Sequence, residues 1–193
     1  RLTTRSAARD AELATEPTTD EQLIECMTAP SDAVRDAVAR YRGDVVILGV
    51  GGKMGPTLAE LLVRAGGTEG GRRVIGVARF SDLQARAHLD DIGVTTIQAD
   101  LLDDGVLHDL PEAPHLFLLA GFKFGSSGNP SMTWAMNSLL PARVVERYRD
   151  AQISYVSSGN VYAFTAVIAR GATERGATEP VGEYAQSRLG GER

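Results

Sequence analysis

The segment Val45-Val46-Ile47-Leu48-Gly49-Val50-Gly51-Gly52-Lys53-Met54-Gly55 decides the fold. Its first four residues form a continuous apolar run, which is typical of a strand buried on both faces. Gly49, Gly52 and Gly55 follow at Gly-x-x-Gly-x-x-Gly spacing, with an extra glycine at Gly51, and an amphipathic pattern then predicts a helix over about 54–65. A buried strand, a glycine loop and a helix in this order predict the first unit of a dinucleotide-binding domain.

The glycines of this loop have separate predicted tasks. Gly49 allows a sharp exit from the strand, and Gly55 lets the helix pack close to the sheet. Gly51 or Gly52 lets the backbone approach a pyrophosphate, which would also meet the positive end of the helix dipole. The alternative is a tight turn that binds no ligand. The strand before the loop and the helix after it favour the phosphate-binding role.

Lys53 and Met54 lie inside the loop and are also candidate cofactor contacts. The lysine does not belong to a nucleoside-triphosphate loop, because that pattern requires Ser or Thr at the position of Met54. The sequence therefore favours a dinucleotide over a nucleoside triphosphate.

Strand and helix patterns alternate along the rest of the chain, which predicts an α/β fold with a Rossmann-like doubly wound parallel sheet. We expect this domain to span residues 43–193 and a helical extension to occupy residues 1–42. Within the extension, one helix is predicted near 20–28 and a second from Ser31 to Gly43. The predicted later elements are strands at 74–77, 95–97, 115–119 and 153–156, with helices at about 81–91 and 131–149.

Composition excludes several other classes of protein. The chain has 193 residues, a net charge of -5 and a pI of about 5.2, so nothing indicates a nucleic-acid-binding surface. No apolar run reaches the roughly 18 residues of a membrane span. The three histidines lack metal-ligand spacing, so we predict no metal site. We expect a cytoplasmic protein that acts on a small molecule.

The end of the second strand bears on the choice of cofactor. A carboxylate there would favour NAD, but the sequence runs Val77-Ala78-Arg79-Phe80-Ser81. Arg79 is placed to meet a 2′-phosphate, so NADP is favoured over NAD. The alternative is a solvent-exposed arginine at the sheet edge. Asp100, after the third strand, is a candidate for the adenine edge, although Asp103 and Asp104 show that an acidic turn would look similar.

From about Asp44 onward the sequence resembles an extended short-chain dehydrogenase/reductase, the family of NAD(P)-dependent sugar epimerases and dehydratases. The resemblance implies that Asp100 and Leu101 contact adenine. Leu119-Ala120-Gly121-Phe122-Lys123 is similar to the fourth-strand segment of UDP-galactose 4-epimerases, where the lysine binds the nicotinamide ribose. The implied cofactor-binding positions are Gly49, Gly51, Gly52, Lys53, Met54, Gly55, Arg79, Asp100, Leu101, Ala120, Gly121, Lys123, Asn137 and Tyr184.

Two further motifs carry the implied chemistry. Ser157-Ser158-Gly159-Asn160-Val161-Tyr162 is similar to the family's Ser-[Ser/Thr]-x-x-Val-Tyr signature, and Tyr184-Ala185-Gln186-Ser187-Arg188 to its Tyr-x-x-x-Lys helix. The resemblance implies that Tyr184 is a general base and that Ser158 binds the same substrate oxygen. A nearby cation favours the phenolate of a tyrosine, whose ordinary pKa is about 10.

Arg188 stands where the family has lysine. A guanidinium keeps the charge but cannot relay protons, and its bulk changes the ribose contacts. One hypothesis is an NAD(P)-dependent epimerase, dehydratase or reductase acting on a sugar or sugar nucleotide. The alternative is a dinucleotide-binding regulatory or scaffold protein whose catalysis has lapsed. In this family a C-terminal domain supplies most substrate contacts, and we expect it to be missing here. Homodimers are common in this family, and the sequence leaves the oligomeric state of this chain open.

Overall fold

The computed structural model describes residues 16–193. The part of the predicted extension before residue 16 lies outside the described residues. The alternation of strands and helices agrees with the pattern in the sequence. In chain order the elements are α1 (Asp20–Thr28), α2 (Asp32–Ala39), β1 (Val45–Leu48), α3 (Gly55–Arg64), β2 (Val74–Ala78), α4 (Leu83–Asp91), β3 (Thr95–Gln98), α5 (Val106–Asp109), β4 (His115–Leu118), α6 (Pro130–Trp134), α7 (Leu140–Arg147), β5 (Gln152–Tyr155) and α8 (Gly182–Glu192).

Within the described residues the strands form one parallel sheet in the order β3-β2-β1-β4-β5. In the central register, Val46 lies between Ile75 of β2 and Leu116 of β4. The chain winds outward from β1 in one direction and then, from β4, in the other, which is the doubly wound arrangement. The predicted Rossmann-like α/β fold is confirmed.

Alternate residues of β1 serve the two hydrophobic cores, one on each face of the sheet. Val46 and Leu48 belong to one core, and Val45 and Ile47 belong to the other. All four are at most 1% exposed because helices cover both faces of the central strand. This explains why β1 reads as a continuous apolar run rather than an alternating one.

The described part of the N-terminal extension is anchored to α3. Arg64 of α3 donates hydrogen bonds to Glu25 at 2.8 Å and to Thr28 at 2.6 Å, both in α1. Thr28 also donates to Glu60 of α3, at 3.1 Å. These contacts hold α1 against the outer side of α3, away from the carboxyl ends of the strands. The boundary predicted at residues 42 and 43 stays a prediction.

The predicted helix over 131–149 is not continuous. It consists of α6, a π-helical segment at Ala135–Leu139, and α7. The prediction of one regular helix is wrong because the backbone hydrogen-bond pattern changes here. The Leu140 N–H donates to the Ala135 carbonyl, five residues back instead of four. Pro141 follows and has no N–H, so it cannot make the usual helical bond to the Asn137 carbonyl.

Two features are absent from residues 16–193. None of the helices in this range is long and apolar enough to cross a membrane. No group of three or more His, Cys, Asp or Glu side chains in the same range comes together in a way that could hold a metal ion.

Candidate functional site

A cleft of about 270 Å³ opens at the carboxyl ends of the strands. The glycine loop after β1 forms its floor, the segment after β2 one wall, and the Leu119–Gly121 segment after β4 the other. The chain reverses its direction of winding between β1 and β4, and open α/β sheets bind ligands at this crevice. The fold therefore places the cleft where a ligand site is expected.

Two loop glycines are required by the packing of the protein itself. Gly49 has φ +90°, and a Cβ atom there would lie 2.6 Å from the Ala120 nitrogen. A Cβ atom at Gly55 would lie 2.0 Å from the Val50 carbonyl oxygen. No side chain fits at either position, which agrees with the structural tasks that the sequence predicts for them.

Gly51 and Gly52 line the cleft itself. A Cβ atom at Gly52 would meet one atom within 4 Å, the Gly49 carbonyl oxygen, at the tight distance of 3.3 Å. The Gly52 and Gly55 N–H groups are used within the loop, by the Gly49 and Gly52 carbonyls. This leaves backbone N–H groups between them to bind an anion such as a phosphate. The Lys53 and Met54 side chains are exposed and do not line the cleft.

The far end of the cleft lies between the ends of β2 and β3. Arg79 lines it with its side chain 77% exposed, and its Nη1 is 3.9 Å from Oδ2 of Asp100. The other oxygen of Asp100 accepts the Leu102 N–H at 3.1 Å. Leu101 is buried and contributes both to this wall and to the core below it. Arg79 is thus exposed enough to turn toward a ligand, and it would give up only its weak pairing with Asp100.

Asn137 holds the segment after β4 in place. Its side chain is fully buried, and its Oδ1 accepts the Phe122 N–H at 2.8 Å. Its Nδ2 donates to the Phe122 carbonyl at 2.9 Å and to Ser187 of α8 at 3.0 Å. Because these bonds occupy the side chain, Asn137 acts on the cleft by fixing Gly121. Direct contact of Asn137 with a cofactor stays a prediction.

Ser158, Tyr184 and two cations meet beside the Gly121 end of the cleft. The Lys123 Nζ lies 5.6 Å from the centroid of the Tyr184 ring, and the Arg188 Cζ lies 5.8 Å from it. Burial raises the pKa of Tyr184, but hydrogen bonds donated by Arg188 and Ser158 and the positive charges of Arg188 and Lys123 outweigh burial. The pKa of Tyr184 is therefore below its usual value.

Ser158 is oriented by its own turn. It caps the short helical turn Gly159–Val161, and its Oγ accepts the Asn160 N–H at 3.2 Å. A serine hydroxyl has one donor and two acceptor positions. With one acceptor position used by the turn, the hydroxyl proton remains available to Tyr184 or to a substrate oxygen.

Arg188 is only 6% exposed. Its Nη1 donates to the Tyr155 hydroxyl at 3.1 Å and to the Ala120 carbonyl at 3.5 Å. Its Nε has no partner within the described residues, and an unsatisfied buried donor costs about 1–3 kcal/mol. Arg188 is thus a buried cation with unused hydrogen-bonding capacity beside Gly121.

Several residues at the site were missed in the sequence analysis. Phe80 lines the cleft with φ +48°, and Asp82 caps α4 beside it. Met132 and Met136 line the opposite wall. A left-handed aromatic residue has no sequence signature, and methionines at helical spacing look like ordinary core residues. Asn129 caps the helix that carries Met132, and Met136 lies in the π-helical segment that follows.

Comparison with known proteins gives one family. A model of the NAD dependent epimerase/dehydratase family matches residues 45–193. No curated protein matches the chain.

Solved structures of similar fold include two sugar-nucleotide epimerases and a protein solved with a sugar nucleotide bound. UDP-glucuronic acid 4-epimerase from Bacillus cereus in complex with NAD has 17% identity and a TM-score of 0.61, over 77% of this chain and 50% of the epimerase. MoeE5 in complex with UDP-glucose and NAD has 24% identity and a TM-score of 0.62, over 78% and 47%. Helicobacter pylori ADP-L-glycero-D-manno-heptose-6-epimerase has 21% identity and a TM-score of 0.63, over 77% and 49%. The chain spans about half the length of these proteins.

Proposed function

The chain belongs to the NAD dependent epimerase/dehydratase family, and from that premise we propose that it binds a nicotinamide dinucleotide in the cleft and acts on a sugar or sugar nucleotide by hydride transfer. The observation that carries the proposal is the position of Tyr184. It lies with Ser158 and Arg188 beside the Gly121 end of a cleft whose floor is the glycine loop. One continuous site can therefore hold phosphates at its middle and a reacting alcohol at its end.

The residues of the cleft fit a dinucleotide. Gly51 and Gly52 present backbone without side chains, and free N–H groups between Gly49 and Gly55 can receive a pyrophosphate. Asp100 and Arg79 lie at the end where the adenosine would bind. When bound, the dinucleotide supplies the acceptor and donor of the hydride.

The chain's own residues handle the proton. As a phenolate, Tyr184 takes the proton of the carbinol hydroxyl while hydride leaves the same carbon. Ser158 donates a hydrogen bond to the carbinol oxygen and fixes its position. Arg188 and Lys123 favour the phenolate, which explains how a tyrosine serves as a base below its ordinary pKa. Because Arg188 stays protonated, it supplies charge and does not pass protons on.

Arg79 supports NADP over NAD as the preferred form. Its guanidinium is exposed at the adenosine end, and its pairing with Asp100 at 3.9 Å is weak enough for a 2′-phosphate to replace it. Asp82 lines the same end of the cleft, and its negative charge would repel a 2′-phosphate, which counts against NADP. Six similar structures, which include the epimerase from Bacillus cereus and MoeE5, contain NAD, so the contribution of Arg79 is the point to test.

A second candidate function is dinucleotide binding without turnover, in a regulatory or scaffold role. The observation that favours it is Arg188, whose guanidinium fills the space against Gly121 and lacks the proton chemistry of lysine. Both functions predict cofactor binding, and only the first predicts oxidation or reduction of a sugar. A cytoplasmic location and a homodimer remain predictions, and the dimer can be tested by sedimentation equilibrium.

The test combines binding with turnover in the full chain. Calorimetric titration with NADH and NADPH measures binding. UDP-glucose and UDP-glucuronic acid are then offered together with NAD+ or NADP+, because oxidation of a carbinol needs an oxidised nicotinamide, and the absorbance of the reduced nicotinamide is followed. We expect binding and a change in absorbance that Tyr184→Phe abolishes. Tyr148→Phe is the matched control, because Tyr148 is a buried tyrosine at the opposite end of the strands. Binding without turnover, unaffected by Tyr184→Phe, would support the second function.

A further inference from the structure

The π-helical segment leaves the Asn137 carbonyl open to a partner from outside its helix. The residue four positions later is Pro141, which has no N–H to donate. The hydroxyl of Tyr155, the last residue of β5, donates to this carbonyl at 3.3 Å. One hydrogen bond thus joins the π-helical segment to the end of β5.

The same hydroxyl receives a hydrogen bond from Arg188. The distance from Nη1 to the Tyr155 oxygen is 3.1 Å, and the guanidinium carbon lies 5.5 Å from the centroid of the Tyr155 ring. The neighbouring helix makes room for this contact through Gly191, where a Cβ atom would lie 2.6 Å from the Tyr155 hydroxyl and 2.2 Å from the Asn137 carbonyl oxygen. The Tyr155 hydroxyl is therefore held by the hydrogen bond that it donates to the Asn137 carbonyl, and it holds Arg188 by the hydrogen bond that it accepts.

We propose that Tyr155 is a positioning residue, whose hydroxyl, held on the Asn137 carbonyl, keeps the Arg188 guanidinium where its charge acts on Tyr184. The proposal rests on the proposed function in that Tyr184 is taken as the base. A long arginine side chain has many rotamers and loses them only when something holds its end. Its other oxygen contact, to the Ala120 carbonyl, is 3.5 Å long, so Tyr155 supplies the shorter of the two bonds.

Arg188 thereby stands between two tyrosines with opposite behaviour. Burial raises the pKa of Tyr155, and the charge and hydrogen bond of Arg188 do not offset it. The pKa of Tyr184 is lowered, as described above. When their environments push the pKa values of two titratable groups in opposite directions, the two groups take different roles in proton transfer. Tyr155 stays a neutral hydroxyl that can donate to the carbonyl, and Tyr184 becomes the group that loses its proton.

Other charged groups face this pair of tyrosines. Lys123 lies over the Tyr184 ring, and Glu192 of α8 accepts a hydrogen bond from Ser157 next to Tyr155. Glu183, which precedes Tyr184, accepts the Trp134 indole N–H at 2.6 Å. None of these groups hydrogen-bonds to the Tyr155 hydroxyl, whose partners are the Asn137 carbonyl and Arg188, so we expect a change in Tyr184 after removal of that hydroxyl to report on Arg188.

The test is Tyr155→Phe, which keeps the ring and removes only the hydroxyl. The pKa of Tyr184 is measured in the full chain without cofactor, by NMR of tyrosine labelled with 13C at Cζ, and the Tyr184 signal is assigned with Tyr184→Phe. We expect its pKa to rise by about 1, because the released guanidinium moves away from the phenolate. The control is Tyr148→Phe. That hydroxyl also donates to a backbone carbonyl, of Pro111, and an arginine also lies on the ring, yet it is remote from Tyr184.

A double-mutant cycle with Arg188→Met then separates positioning from general damage. Tyr155→Phe should leave the pKa of Tyr184 unchanged in that background. If Tyr155→Phe fails to fold, the unmodified protein still tests the proposal: the Tyr155 hydroxyl proton should exchange slowly and show a nuclear Overhauser effect to Arg188. An unchanged or lowered pKa of Tyr184, the same rise with methionine at position 188, or no such effect would overturn the proposal. None of these results depends on cofactor binding or turnover, so they are distinct from failure of the proposed function.

Discussion

The guanidinium of Arg188 lies directly against the backbone of Gly121. A Cβ atom at position 121 would be 2.4 Å from Nη2 of Arg188 and 2.8 Å from its Cζ. A side chain at position 121 would therefore force the end of the Arg188 side chain to move. The buried cation and the wall of the cleft cannot be changed independently.

Gly121→Ala should displace Arg188 and disturb the site more than a single methyl group suggests. We expect a loss of about 1–3 kcal/mol in the free energy of unfolding, as for other overpacked positions, and a raised pKa of Tyr184. Urea denaturation and tyrosine NMR measure the two effects. Adding Arg188→Lys should recover part of the stability, because the lysine end is slimmer. A Gly121→Ala protein as stable as the parent would contradict the contact.

The loop glycines should separate into structural and ligand-facing positions. At Gly55 the added methyl meets the Val50 carbonyl oxygen at 2.0 Å, so Gly55→Ala should cost about 3 kcal/mol of stability. At Gly52 the added methyl meets the Gly49 carbonyl oxygen at 3.3 Å, which a small shift relieves, so Gly52→Ala should change stability by less than about 1 kcal/mol. It should nevertheless weaken binding of NADH or NADPH at least about tenfold, or about 1.4 kcal/mol. Thermal unfolding measures the stability of the two variants, and calorimetric titration measures their cofactor binding. Equal effects of Gly55→Ala and Gly52→Ala on stability would contradict the division of the loop into structural and ligand-facing glycines.

Arg79 should discriminate between the two cofactors. Arg79→Ala is expected to weaken NADPH binding about tenfold, or about 1.4 kcal/mol, with little effect on NADH, because only NADPH has the 2′-phosphate. Titrations with both cofactors at one ionic strength measure this, and Arg86→Ala, on the next helix, is the control for loss of a nearby positive charge. Equal losses for both cofactors, or none, would refute the 2′-phosphate role.

The protonation of Tyr184 should depend on Arg188. The pKa of Tyr184 is below its usual value, so the phenolate persists to lower pH and the rate of carbinol oxidation should fall as pH drops through that pKa. In Arg188→Met the phenolate loses a cation, and its titration should move to higher pH. Ultraviolet absorbance of the phenolate follows it without a substrate. Arg143→Met, which removes an arginine paired with Asp104 away from the site, should leave the titration where it is.

Much of the fold could be predicted from the sequence because its signals are local. The apolar run of β1, the glycine spacing and the alternation with helices each depend on a few neighbouring residues. The predicted bounds of β1 agree with the structure, and the fifth strand is displaced by one residue, to Gln152–Tyr155. Among the described strands β5 has one neighbour, and it is only partly buried, so its ends leave a weak signal in the sequence.

The parts that could not be predicted depend on contacts between distant residues. Nothing near Asn137 in the sequence shows that its side chain binds Phe122 or that its carbonyl receives Tyr155. Pro141 indicates a disturbed helix, but the partner that uses the freed carbonyl comes from another strand. In the same way, the departure at Arg188 is visible in the sequence, and its packing on Gly121 is not.

Calorimetric titration of the full chain with NADPH and with NADH, in the parent and in Gly52→Ala, tests most directly whether the cleft holds a nicotinamide dinucleotide. We expect saturable binding with one cofactor molecule per chain, weakened at least about tenfold by the glycine substitution, with a change in stability of less than about 1 kcal/mol. Absence of binding for both cofactors in a folded parent protein, or binding that Gly52→Ala does not weaken, would contradict the claim that this cleft holds a nicotinamide dinucleotide.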